Sequence, residues 1–217
     1  MSSAGRRLAG HSAASREVRS DELGRRLREA RIAAGLGVRE LARRVALSAS
    51  LISQIELNRV APSVGTLYAI ATTLGISMDS LFGEAAHVAA ATRGAAPPPG
   101  ADGAAFVLRA AERRRIVLAR GVCWELLMPR PEPGVEFLEV TYPIGAGAGA
   151  AHPICHRGRD YCVILAGTLV VQLGADELVL EPGDSLALDA SEPHRFANLG
   201  EVPVRSVWMV LDPRASH

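Results

Sequence analysis

Apolar positions change their rhythm once along the chain, near residue 106. Between Ser20 and Phe82 they recur at helical spacing. Leu23, Leu27, Ala30 and Ala34 follow i, i+4, i+7, i+11, and Gly35 stops the stripe where a C′ glycine would stand. Ser20 is placed to cap this first helix, with Asp21 and Glu22 in its positive first turn. Val38, Leu41, Ala42 and Val45 predict a second helix. Ala46-Leu47-Ser48 breaks the pattern, and Ser48 suits the N-cap of a third helix in SASLISQIELN, whose apolar residues are Leu51, Ile52, Ile55 and Leu57. Pro62 and Ser63 open a fourth, with Val64, Leu67, Ile70, Ala71 and Leu74 as its stripe and Gly75 as its end. A short fifth piece runs from about Met78 to Phe82.

Beyond Phe106 the pattern becomes short β-rich runs with Gly and Pro between them. Strands are predicted over 107–109, 115–118, 123–128, 136–142, 161–167, 168–173, 177–180, 185–189, 194–198 and 204–211. Gly167-Thr168 and Gly174-Ala175 read as hairpin turns. Strands this short and this regularly spaced predict an all-β sandwich or barrel. The chain therefore divides into an aperiodic tail (1–19), a helical domain (20–83), an Ala/Pro/Gly-rich linker (84–105, with PPPG at its centre) and a β domain (106–217).

Charge sharpens this division. Residues 1–83 hold 12 Arg and 7 acidic residues, and residues 84–217 hold 12 Arg and 16 acidic residues. There is no lysine. Only the first half is suited to meet a polyanion. The arginines near the N-terminus are not followed by an apolar core, and no run approaches the ~18 apolar residues of a membrane span. A cytoplasmic protein without membrane contact is expected. Cys123, Cys155 and Cys162 are an odd set in a long chain, which favours reduced thiols over a disulfide scaffold.

Two short helices joined by a three-residue break, inside five helices, make a helix-turn-helix arrangement. The stretches LGRRLREARIAAGLGVRELARRVALSASLISQIE and PSVGTLYAIATTLGIS resemble the Xre-type, or phage-repressor-like, DNA-binding domain. The resemblance implies that the third helix enters the major groove of double-stranded DNA, with Ala49, Ser50, Ser53 and Gln54 as base readers. Gln54 can pair with an adenine edge and Ala49 can meet a thymine methyl. Arg39, Arg43, Arg44 and Arg59 flank that surface as phosphate contacts, which position without specifying. Each of these arginines has a plainer alternative as part of a solvated helix face. Ala49 stands where the family often has Gln, and Ala46 where the turn usually has Gly. Arg31 and Glu56 match an ion pair that the family buries between helices one and three.

The stretches HRGRDYCVILAGTLVVQL and LEPGDSLALDASEPHRFAN resemble a cupin, a double-stranded β-helix barrel. The family's ligand positions fall on Ile154, His156, Asp160 and His194. Ile154 cannot ligate, and Asp160 is one methylene shorter than the usual Glu. Two readings follow. In one, His156, Asp160 and His194 hold a divalent metal (Fe, Zn or Mn) as a two-histidine, one-carboxylate set. In the other, which the lost histidine and short carboxylate favour, the pocket takes an organic effector without metal. The effector pocket is then assigned to His152, His156, Asp160, Tyr161, His194 and Arg195.

Together these readings predict a transcription regulator, not an enzyme. It would be a homodimer whose cupin domain binds a small-molecule effector and whose helical domain reads a two-fold-symmetric operator. The alternative is a metal-dependent oxygenase or epoxidase with an attached helix-turn-helix domain, as some proteins of this domain order are. Retained iron favours the enzyme, and selective DNA binding favours the regulator.

Overall fold

The computed structural model describes residues 20–83, 106–149 and 152–212. The expected tail over 1–19 and the linker over 84–105 lie outside the described residues.

Among the described residues five α-helices come first: α1 (Ser20–Ala33), α2 (Val38–Arg44), α3 (Ala49–Glu56), α4 (Val64–Leu74) and α5 (Met78–Leu81). Serine hydroxyls cap the starts of α3, α4 and α5, whereas α2 starts after Gly37 without a side-chain cap. The Ser48 side chain accepts from the Leu51 amide and Ser63 from the Thr66 amide. Each such cap contributes about 1 kcal/mol. The turn between α2 and α3 passes through Ala46 in the left-handed region, at φ 54°. A Cβ there costs on the order of 1 kcal/mol, which the helices on either side offset by burial. Leu27, Leu41, Ala42, Ile52, Ile55, Leu67, Ile70 and Leu81 form the helical core. Across it, the Arg31 guanidinium meets the Glu56 carboxylate at two points, both side chains buried.

Among the described residues nine strands follow: β1 (Arg115–Val117), β2 (Cys123–Leu126), β3 (Val135–Tyr142), β4 (Arg159–Ala166), β5 (Leu169–Leu173), β6 (Asp176–Leu180), β7 (Ser185–Asp189), β8 (His194–Ala197) and β9 (Val204–Leu211). The strand expected over 107–109 is not formed. Val107 and Arg109 are exposed, and the first ladder begins only at Arg115, opposite Glu125.

One antiparallel sheet has the order β1-β2-β3-β9-β4-β7 and the other β6-β5-β8. Gly174-Ala175 closes a true hairpin, with Leu173 opposite Asp176. Gly167-Thr168 does not close one. β4 pairs with β9 and β7, whereas β5 belongs to the second sheet. Gly167, at φ 72°, carries the chain from one sheet to the other beside the Pro203 carbonyl, where a Cβ would lie 2.7 Å from the oxygen.

Strand alternation fills the space between the sheets. Leu138, Val140 and Tyr142 of β3, Ser206, Trp208 and Val210 of β9, and Cys162 and Ile164 of β4 are all buried. Phe196 of β8 packs on Trp208 with ring centroids 4.6 Å apart. The Trp208 indole N–H is satisfied by the Ser206 hydroxyl at 2.7 Å. The carboxylates entering this space lie at one end, where Glu136, Val210, Asp160 and Leu188 share one cross-strand row.

Candidate functional site

Helix α3 lies where its Ser48 cap and its two buried isoleucines fix it. With Ile52 and Ile55 turned inward, Ser50 and Gln54 are exposed and Ala49 and Ser53 are half-buried. Arg39, Arg43, Arg44 and Arg59 are all exposed. Two of these four are already engaged. Arg43 reaches Glu40 at 2.7 Å and Arg44 reaches the same carboxylate oxygen at 2.8 Å. Hydrogen bonding to Arg43, then Arg44, holds the Glu40 carboxyl below the usual carboxylate range.

At the polar end of the barrel, three side chains converge. His156 follows the short bridge that Ile154 makes with His194, Asp160 is the second residue of β4, and His194 begins β8. Asp160 is 3% exposed and His194 1%. Asp160 Oδ1 is 3.4 Å from His156 Nε2, and its Oδ2 is 3.5 Å from His194 Nε2. Each imidazole turns its other nitrogen to a main-chain carbonyl: His156 Nδ1 lies 3.1 Å from Arg157 O, and His194 Nδ1 lies 2.8 Å from Glu192 O. Those carbonyls call for N–H at Nδ1, so each neutral ring keeps its Nε2 lone pair toward the carboxylate.

The result is three electron-pair donors facing one another. His156 Nε2, Asp160 Oδ1 and His194 Nε2 are sealed from solvent and lack a hydrogen-bond partner of good geometry. Buried polar atoms left this way are costly. A cation between them removes the cost. The Asp160 carboxylate oxygens stand 3.4 and 3.5 Å from the two imidazole nitrogens, the spacing of tetrahedral ligands each about 2.1 Å from a shared ion. Two imidazoles and a carboxylate suit Fe, Zn or Mn. The residues present therefore fit a divalent metal, a better match than the sequence pattern alone gave.

The protonation tendencies of the two rings diverge. Burial opposes a charge on His156, but the Asp160 carboxylate outweighs it and raises its pKa. For His194 burial prevails over the neighbouring groups and lowers it.

The remaining pocket residues separate. His152 and Arg195 line an outer pocket of about 120 Å3, together with Ser63, Arg120, Tyr142 and Phe196. Tyr161 does not belong to the site. It neighbours Asp160 in β4 and so stands on the opposite face, exposed, with its hydroxyl on Arg159. Cys162 is buried, and that burial pushes its thiol up to about 12, which leaves it unreactive.

Two residues at the site escaped the sequence reading. Glu136 lies level with Asp160 across Val210. Its stem is partly exposed, but its Oε2 is sealed off without a partner. Burial pushes its carboxyl up to about 7, with His156 opposing and Asp160 reinforcing the shift. The alternation Glu136, Leu138, Val140, Tyr142 carried this signal. Tyr68 of α4 stacks on His156, with ring centroids 4.3 Å apart and planes 11° apart. Nothing in the periodicity of α4 marks it.

Comparison with known proteins follows the same division. Residues 24–85 match the family model described as a helix-turn-helix domain, and residues 138–210 the one described as a cupin domain. The HTH-type transcriptional regulator PuuR of Escherichia coli (strain K12) is 27% identical over 176 residues, covering 81% of this chain and 86% of that protein. The crystal structure of an HTH_3 family transcriptional regulator from Vibrio cholerae aligns with a TM-score of 0.58 and 19% identity, covering 90% of this chain and 97% of that one. Hydroxypropylphosphonic acid epoxidase from S. wedmorenis aligns at a TM-score of 0.44 and 18% identity, over 92% of this chain and 100% of that one. At that level the likeness carries no argument about function.

Proposed function

We propose, from the premise that this chain is an Xre-type helix-turn-helix transcription regulator with a C-terminal cupin domain, that it binds DNA as a homodimer and answers to a small effector held in the cupin pocket. The observation that carries the reading is α3: a capped helix with both isoleucines buried and Ser50 and Gln54 left outward. In this role Ala49, Ser50, Ser53 and Gln54 meet base edges, and Arg39, Arg43, Arg44 and Arg59 meet phosphates.

Dimerisation is supported by the outer face of the larger sheet. Tyr161, Leu165 and Met209 are exposed there, with Tyr161 and Met209 in register. A second copy covering this face would bring two reading helices to one duplex. No helix among the described residues is long and apolar enough to cross a membrane, and a cytoplasmic setting suits a DNA-binding role.

In the pocket, His156, Asp160 and His194 would hold a divalent cation, with His152 and Arg195 at the entrance. Such an ion supplies a Lewis-acidic anchor for an oxygen-bearing ligand. We read the pocket as sensing rather than catalytic, because 81% of the chain aligns with a transcriptional regulator. Selection of bound sequences from random duplexes tests the reading. The expected product is a pair of symmetric half-sites centred about 10 bp apart, or a multiple of that. Enrichment of no sequence over the starting pool would refute it.

A further inference from the structure

The cupin pocket is closed from outside by the DNA-binding part of the same chain. Tyr68 covers the face of His156 and also meets Trp124, at 5.7 Å between ring centroids. The Ala119 amide donates to the Pro62 carbonyl at 2.9 Å. Gly65 lies so close to the His152 carbonyl that a Cβ there would be 2.5 Å from its oxygen.

Space decides what this closure means. The space beside Asp160, lined by Val64, Tyr68, Trp124 and Trp208, is only about 20 Å3. That admits one water or one ion and no organic molecule. An effector that reaches the three donors must displace Val64 and Tyr68. Neither can leave without α4, because the same helix buries Leu67, Ile70 and Ala71 in the helical core. We infer that the effector and helix α4 compete for the mouth of the cupin pocket, so that loading the pocket undocks the DNA-binding domain from it. The inference rests on the cupin being the sensing domain. In a dimer, docking fixes the spacing of the two reading helices, and undocking lowers the effective concentration of the second at its half-site. Loading the pocket therefore weakens operator binding.

Gly65→Ala in the full chain tests this without knowledge of the effector. Alanine favours the helix but cannot fit against His152. The Ala119 amide should then exchange its hydrogen at least about tenfold faster, while Ala71 in α4 and Val140 in β3 keep their protection. Operator affinity should fall about fivefold or more. Val64→Phe, which overfills the inner space from the same helix, should act alike. Zn2+ alone, which that space admits, should leave Ala119 as it was. Unchanged Ala119 exchange in both variants, undocking with unchanged operator affinity, or release of Ala119 by Zn2+ alone would each overturn the inference. A wild-type chain that selects no DNA sequence would instead sink the regulator reading, and Ala119 exchange would still decide the docking.

Discussion

Arg31 and Glu56 meet as a two-point pair, with Nε to Oε1 at 2.6 Å and Nη2 to Oε2 at 2.8 Å, and the third arm of the guanidinium donates to the Leu36 carbonyl at 2.8 Å. The pair ties α1 to the last residue of α3. With side-chain exposures of only 10% and 7%, neither charge can be left alone cheaply. Glu56→Ala should cost about 3–5 kcal/mol in urea unfolding, because Arg31 stays buried and unpaired. Replacing both partners with apolar residues of similar volume should recover most of that loss. A Glu56→Ala protein as stable as wild type would show that the pair contributes nothing.

Gln54 and Glu40 should affect DNA binding in different ways. Gln54→Ala should cost about 1–3 kcal/mol on the preferred operator and relax one base position. Glu40→Gln frees Arg43 and Arg44 from their shared carboxylate. It should tighten binding to every duplex alike and steepen the dependence on salt. Titrations of operator and scrambled duplex at two salt concentrations separate the effects. A sequence-selective gain in Glu40→Gln would contradict the phosphate role of these arginines.

The three-donor site should bind one Zn2+ per chain and lose it on dialysis against a chelator, because Ile154 supplies no ligand. Asp160→Asn removes the charge that faces both imidazoles and should weaken the ion at least about tenfold. Binding should also fail on acidification, as protons compete for the histidines. Calorimetric titration measures all three effects. Equal affinity in Asp160→Asn would place the ion elsewhere.

Glu139 predicts a contribution to acid stability. Burial works against its charge, but Arg205 and then Arg113 outweigh burial and hold its pKa below the ordinary 4.5. A carboxyl lowered by folding contributes stability above its unfolded value, and that contribution is lost as pH falls through the folded one. Glu139→Gln should therefore destabilise the chain at pH 7 and leave its stability nearly unchanged at the acid end. An equal loss at both ends would point to packing instead of charge.

The helical domain was legible because its information is local. Hydroxyl caps at Ser48 and Ser63 and the stripes between them need no distant partner. Most strands were legible for the same reason. Partnership was not. Gly167-Thr168 has the composition of a hairpin, yet β5 pairs in another sheet, and turn residues alone do not say which strand comes next to which. Tyr161 could have been set aside from parity, since Asp160 beside it points inward. His156, Asp160 and His194 followed from spacing. Tyr68 did not, because its neighbours belong to a different domain, about ninety residues on in the case of His156.

Helix α4 answers to two sets of neighbours, and this limits how such a protein can diversify. Its Leu67 and Ile70 complete the helical bundle, while Gly65 and Tyr68 complete the barrel's mouth. A helical unit borrowed from another regulator would bring its own residue to position 65, and any side chain there would run into His152. Shuffling whole reading heads would break the fit. Under the proposed function, new DNA targets are more readily acquired by point changes at the exposed Ser50 and Gln54, which leave Gly65 and Tyr68 as they are.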